Sequence, residues 1–419
     1  MNLSAHILKI ARAAKKASYQ MALISTKEKN RALMQMANAL EAQQSYLIKE
    51  NAKDLAAATK ANYSKALIDR LTLNPKNISS MADGLRETAK LKDPVGQLLE
   101  TIKRPNGLLI KKIRVPLGVV GIIFESRPNV TADCAALCLK SGNAAILKGG
   151  REAIHSNKAI FKILKSQLKK SKIPVDALQL IESTDRQAVH ELLKLDELLD
   201  VIVPRGGEEL IRFVADNSRI PVIKHYKGIC HVYVHSSADL NMAHKIVMNA
   251  KIQKPGVCNA METLLVDRAV AKNLLPSVIP DLQKAGCEIR ADQATRAIVK
   301  DGVKKATEED WRTEYLDLIL SVRVVENIDQ AIDHINTYGS HHSDTIVTKD
   351  KNKAQDFLNA VDSACVYVNA STRFTDGFEF GFGAEVGIST DKLHVRGPMA
   401  LEGLTSYKYE IYGNGQIRT

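Results

Sequence analysis

From Leu117 onward, short and almost wholly apolar runs alternate with segments long enough to be helices, and this rhythm leaves few folds open. VVGIIF (119–124), AAILK (144–148), LQLI (178–181), DVIVP (200–204) and PVIK (221–224) read as buried strands. VTADCAALCLKSG (130–142), AIHSNKAIFKILKSQLKKS (153–171) and EELIRFVADN (208–217) read as the helices between them. Strands buried on both faces and separated by 10 to 20 helical residues build βαβ units around a parallel sheet. The first such layer is expected over residues 117–235. A second follows, with helix NMAHKIVMNAKI, strands TLLVD and LILSVRVV, helix IDQAIDHIN, strand DTIVT, helix KNKAQDFLNAV and strand ACVYVN. The fold class is α/β, with two open α/β layers.

Residues 1–92 read instead as a helical preface, with apolar positions such as Leu33, Met36 and Leu40 at helical spacing. The first 27 residues lack Asp and Glu and carry Lys9, Arg12, Lys15 and Lys16, the composition of a mitochondrial presequence. Leu3, Ile7, Ile10 and Ala14 also recur as on a docking helix, and that reading is preferred. Between preface and layers, TIKRPNGLLIKKIRV (101–115) sets Asn106-Gly107 between two β-prone arms, a hairpin signal. The C-terminal LTSYKYEIYGNGQIR is β-prone as well, and two exposed β segments invite exchange of strands between subunits, with a simple surface hairpin as the alternative.

Composition narrows the function. Every apolar run is interrupted by charge well before the ~18 residues of a membrane-spanning helix. The net charge of +12 admits an anionic ligand or nucleic acid, but the basic residues are dispersed, aromatics are 5%, and no zinc-finger or RNA-binding signature occurs, so nucleic acid is disfavoured. Six cysteines without a C-x-x-C pair fit reduced thiols in the cytoplasm. There is no G-x-G-x-x-G, Walker A loop, H-E-x-x-H or G-x-S-x-G, and no metal site is expected.

Phosphate can still be held where a strand ends in glycine and a helix begins. Lys148, Gly149, Gly150 and Arg151 form one such junction, and Arg205, Gly206 and Gly207 another. Cations after the first strand favour NADP(H) over NAD, against the nearby Glu152. The best nucleophile is Cys258 in KPGVCNAMETLLVD, because Pro255-Gly256 forces a turn that lifts the following thiol out of regular structure. Asn129 in FESRPNVT offers an oxyanion donor just past a buried strand, and Arg127 a bidentate partner for a carboxylate. Ser371, Thr372 and Arg373 lie in a hydroxyl- and glycine-rich loop read as a binding loop.

These motifs resemble the aldehyde dehydrogenase superfamily. VENIDQAIDHINTYGSHHSDTI (325–346) follows the pattern of a branch that acts on an acyl phosphate. FESRPNVT, KSGNAAILKGGREA, PRGG, PGVCNAMETLLV, STRFTDGFEFGFGAEVGIST and DKLHVRGPMALEGLTSYKY resemble blocks of that branch in order, over essentially the whole chain. The resemblance implies an aldehyde dehydrogenase-like fold with three parts. Residues 1–98 and 117–235 would form an NADP(H)-binding domain, 236–390 a catalytic domain with the nucleophilic cysteine, and 99–116 with 404–419 a β oligomerisation arm. It implies NADPH-dependent reduction of L-glutamyl 5-phosphate to L-glutamate 5-semialdehyde with release of phosphate, a step of proline biosynthesis, through a thioester on Cys258. Expected partners are a second copy, as homodimer or homotetramer, and glutamate 5-kinase, which makes the unstable acyl phosphate.

On this reading Arg127 and Arg373 meet the carboxylate or phosphate of the substrate, and Glu125 its ammonium. His342, Ser343 and Asp344 stand in the most diagnostic block, where shaping the cleft competes with chemistry. Hydrolytic members carry a glutamate base before the cysteine helix. Here that region reads PVIKHYKGICHVYV, without an acid, which leaves open what deprotonates Cys258: a helix terminus or the cationic surroundings can suffice, and His225 is a weaker candidate, read first as a packed or solvated histidine. CoA-acylating and hydrolytic aldehyde dehydrogenases are the alternatives, and a basic nucleic-acid-binding or scaffold protein a remote one.

Overall fold

Strand Val119–Phe124 is buried at all six positions and lies inside a four-stranded parallel sheet ordered 178–180, 144–149, 119–124, 201–205. Gly121 sits where this strand faces its neighbour's side chains; a Cβ there would lie 2.4 Å from Ile202 Cδ1 and 2.8 Å from Leu199 Cδ2. The computed structural model describes residues 2–418. It groups the chain into two units, one running to Lys224 and including 381–387 and the segment from Pro398, the other comprising 225–380 and 388–397.

In the first unit, helices Leu3–Met21, Thr26–Ala42, Gln44–Lys60, Lys65–Leu71 and Pro75–Lys90 form the preface. Ile7, Ile10, Ala14 and Met21 of the first are buried, as a docking helix requires. Ser25 and Asn74 cap the second and the last of these helices, accepting from Glu28 N and Asn77 N, and so satisfy N–H groups that the helices cannot. Leu33, Met36 and Leu40 are fully buried. PVIK forms no strand of its own; only Val222 bridges to Ile202.

The β arm is an antiparallel sheet ordered 98–103, 109–116, 405–412. Its hairpin closes at the Lys103–Leu109 pair. Gly107 takes φ +87°, a conformation that favours glycine, and Arg104 N donates to Leu108 O at 2.9 Å. The Lys112 ammonium lies 3.9 Å from the centre of the Tyr407 ring, a cation–π contact across the two strands.

The second unit is built on a seven-stranded parallel sheet ordered 304–305, 288–291, 319–325, 261–267, 230–234, 343–347, 365–368. Successive residues go to opposite faces. Val232, Val234, Leu264 and Val266 enter one core cluster with helix residues Leu274 and Val278, while Tyr233 and Leu265 join Ile335 and Phe357 on the other. The domain boundary differs from the expected one. Strand Cys230–Val234 pairs with 261–267 and 343–347, so the second unit begins at 225 rather than 236. A buried apolar run carries no mark of which sheet it will join, and the pairing partners decide. Among the described residues no helix is long and apolar enough to cross a membrane.

Candidate active site

In the first unit, three strand ends are level: Phe124 pairs with Gly149 on one side and Arg205 on the other. The loops that follow therefore share the carboxyl edge of the sheet, where open α/β sheets bind ligands. Two acids knit them together. The Glu125 carboxylate accepts from Gly207 N at 3.1 Å, and Glu152 accepts from Ser126 N at 2.6 Å and from Ser126 Oγ at 3.2 Å. Ser126 is held at φ +52°, strained backbone of the kind that gathers in ligand loops. Glu125 is exposed as a residue, yet partial burial of its carboxylate raises its pKa, with the nearby Glu152 and Glu209 adding to this and the Gly207 N–H opposing.

The expected ligand residues stand here in different states. Lys148 is buried and turns back to donate to Gly149 O at 2.9 Å, and burial lowers its pKa. Arg151 is exposed and Arg205 half-buried. Glu125, Arg127 and Asn129 are exposed. Asn129 Nδ2 donates to Asp133 at 2.8 Å, and burial pushes the Asp133 carboxyl up to about 6. The Gly207 N–H, expected to face a phosphate, already serves Glu125.

In the second unit, Cys258 lies between helix Leu240–Ile252 and strand Met261–Asp267, and it is half-buried where the other five cysteines are buried. Its surroundings are densely tied. The Cys230 thiol donates to Cys258 O at 3.2 Å, and Asn259 Nδ2 donates to Thr375 O at 2.8 Å. Thr372 Oγ1 donates to Asn259 O at 2.7 Å, so the loop after strand Cys365–Val368 is anchored on the residue next to the thiol. Arg373 Nε donates to Gln253 Oε1 at 2.8 Å; burial lowers its pKa, and Asp376 and Cys258 lie close enough to raise it. Ser371 is buried and accepts from Arg373 N at 3.3 Å, a contact that shapes the loop.

The diagnostic block divides its work. Ser340 Oγ accepts from Ile229 N at 2.8 Å. Asp344 accepts from His231 N at 2.8 Å and pairs with His231 Nδ1 at 2.7 Å, both side chains wholly buried. His342 instead approaches the thiol: one nitrogen each from His225 and His342, and the Cys258 sulfur, lie within 4.8 Å of one another. The proximity of His342, Gly228 and Cys230 to Cys258 was missed from sequence, since no local motif links these positions.

Residues 3–297 match the family model described as "Aldehyde dehydrogenase family". The chain is 55% identical over 409 residues to a gamma-glutamyl phosphate reductase of Nautilia profundicola, covering 98% of this chain and 99% of that one. It is 56% identical over 408 residues to the one from Caldanaerobacter subterraneus, covering 97% and 98%. A crystal structure of gamma-glutamyl phosphate reductase from Thermotoga maritima superposes with TM-score 0.96 at 45% identity, over 99% of this chain and 100% of that one. The chain belongs to the aldehyde dehydrogenase family, in its gamma-glutamyl phosphate reductase branch.

Membership in the aldehyde dehydrogenase family implies a nicotinamide cofactor; the carboxyl edge of the first sheet is where open α/β sheets bind such ligands, and here two acids, Glu125 and Glu152, line it. At Gly207 a Cβ would meet nothing within 4 Å, so the backbone there is open to close approach. Gly149 is needed by the fold itself, since a Cβ would lie 2.1 Å from Asn157 Nδ2. The exposed Arg151 adds a cation at the start of the helical segment that leads into Ile154–Leu168.

Proposed function

We propose that this enzyme reduces L-glutamyl 5-phosphate to L-glutamate 5-semialdehyde, with NADPH as reductant and release of phosphate, through a thioester on Cys258. The observation that carries this reading is the placement of Cys258, half-buried against two histidines and the Arg373 loop, in a chain of this branch.

The Cys258 thiolate attacks the acyl phosphate carbonyl, the bond to the phosphate oxygen breaks, and the thioester remains. The Cys258 backbone N–H and the Asn129 amide are assigned to the oxyanion; the nitrogen that donates to Asp133 carries a second N–H for this purpose. Lys148, Gly149, Gly150, Arg151, Arg205, Gly206 and Gly207 are assigned to the cofactor, which when bound supplies a hydride. Collapse of the resulting thiohemiacetal frees the aldehyde and the thiol. Arg127 and Arg373 are assigned to the substrate's carboxylate and phosphate, Glu125 to its ammonium, and Ser371 to the support of Arg373. The β arm is assigned to a homodimer or homotetramer, and a monomer by light scattering at micromolar concentration would remove that assignment. Association with glutamate 5-kinase and residence in the cytoplasm belong to the same reading.

The deciding experiment is NADP⁺ reduction with glutamate 5-semialdehyde, comparing phosphate, CoA and no acceptor, with Cys258→Ala alongside. Phosphate-dependent NADPH formation, lost in the variant, is the expected result. Activity indifferent to phosphate, or a variant retaining more than about a thousandth of turnover, would overturn the reading.

A further inference from the structure

His225 lies in a segment, 221–234, that contains no acid, and its geometry fixes its tautomer. Its Nδ1 is 2.8 Å from Ile388 O. A carbonyl only accepts, so Nδ1 carries the hydrogen and Nε2 of the neutral ring keeps its lone pair. His342 is complementary. It is fully buried, and its Nε2 has no hydrogen-bond partner. Its Nδ1 is 2.8 Å from Ser343 Oγ, which is 2.6 Å from Thr375 Oγ1, which is 2.7 Å from the Tyr367 hydroxyl. Burial raises the Tyr367 pKa, so the phenol keeps its proton and donates inward. With the phenol donating into the chain, each hydroxyl passes a hydrogen on, Nδ1 of His342 accepts, and Nε2 carries N–H; the Cys365 thiol bonds the same three hydroxyls, and Cys230 Sγ lies 3.7 Å from His342 Nδ1. The two rings meet edge to face, their centres 5.5 Å apart.

We propose that the two histidines divide the proton work at Cys258: Nε2 of His225 takes the thiol proton, and Nε2–H of His342 donates to the thiolate. The S–H bond breaks and an N–H bond forms on His225. When the thiohemiacetal collapses, the C–S electron pair returns to sulfur and the imidazolium returns the proton. The other groups facing the thiol suit this division. Arg373 is the cation beside it, the Cys230 thiol is kept neutral by burial, and Glu314 accepts from Gly228 N at 2.9 Å. Asp344 and Glu262 lie further out and bear on Cys230.

This proposal rests on Cys258 being the nucleophile, so its test does not use turnover. Cys258 carboxamidomethylation by iodoacetamide is followed by peptide mass spectrometry across pH, without substrate or cofactor. In His225→Gln the midpoint of the pH–rate curve is expected to rise by about one unit or more, with alkylation about tenfold slower at neutral pH and restored in alkali. Ser343→Ala keeps the His342 ring and breaks the relay, and a smaller upward shift of about half a unit is expected even if His342→Gln fails to fold. Unchanged curves in both His225→Gln and Ser343→Ala would overturn the proposal. Retained turnover in Cys258→Ala would overturn the nucleophile itself, a separate result.

Discussion

Gly228 packs its backbone directly against the carbonyl of Cys258. A Cβ at position 228 would lie 1.9 Å from Cys258 O and 2.5 Å from Cys258 Cα, and neither is the end of a flexible side chain. Gly228→Ala must therefore displace the backbone that carries the thiol. Turnover is expected to fall about 100-fold or more, since a shift of about 1 Å at a reacting group costs that much. Steady-state kinetics beside a thermal melt checks this; wild-type turnover in the variant would mean that the Cys258 backbone is free to move.

Asp310 should make stability depend on pH in the acid range. Burial pushes its carboxyl up, but hydrogen bonds from Arg290, Thr307 and Tyr315 outweigh this and hold it at about 2. A depressed acid stabilises the fold above its unfolded value near 4, and that contribution is lost as pH falls toward 2, worth about 2 kcal/mol in full. Asp310→Asn should lose about that much at neutral pH and differ little from wild type near pH 2. Urea unfolding at several pH values measures the difference, and a constant gap would contradict it.

Lys251 and Glu262 form an ion pair of 2.6 Å with both side chains fully buried, and Glu262 also accepts from Leu316 N at 3.2 Å. Burial raises the Glu262 pKa and the Lys251 ammonium opposes it. Glu262→Gln leaves an ammonium buried without its counter-charge and should cost about 3–5 kcal/mol. Lys251→Met combined with Glu262→Leu should recover most of that loss in a denaturant titration. A double variant as unstable as Glu262→Gln would show that the pair does more than neutralise itself.

Arg373 is expected to act on substrate rather than on cofactor. Arg373→Leu removes a cation near Cys258 and the bond to Gln253, and should raise the KM for the acyl substrate about tenfold or more while changing the KM for NADPH little. The reverse pattern would move Arg373 to the cofactor.

Both α/β layers, the helical preface and the arm were legible because each rests on local pattern: VVGIIF is apolar throughout, Ile7, Ile10 and Ala14 share one helical face, and Asn106-Gly107 marks a turn. That Cys258 lies outside regular structure was legible for a similar reason, because Pro255-Gly256 follows the helix before it. Residues 230–234 fell inside the expected bounds of the first layer without being read as a strand, and only their pairing with 261–267 and 343–347 assigns them to the second sheet.

The site shows the same division. Residue types at strand ends and turns are written in the chain: two glycine junctions, a thiol after Pro-Gly, and no acid between 221 and 234. That Glu125 occupies the Gly207 N–H, that Asp344 holds His231 while His342 turns to the thiol, and that Gly228 presses on the Cys258 carbonyl could not be read there. These contacts join residues far apart in the chain. Sequence spacing limits only what lies within a helix turn or a strand repeat, whereas contact between distant segments depends on which strands pair and in what register.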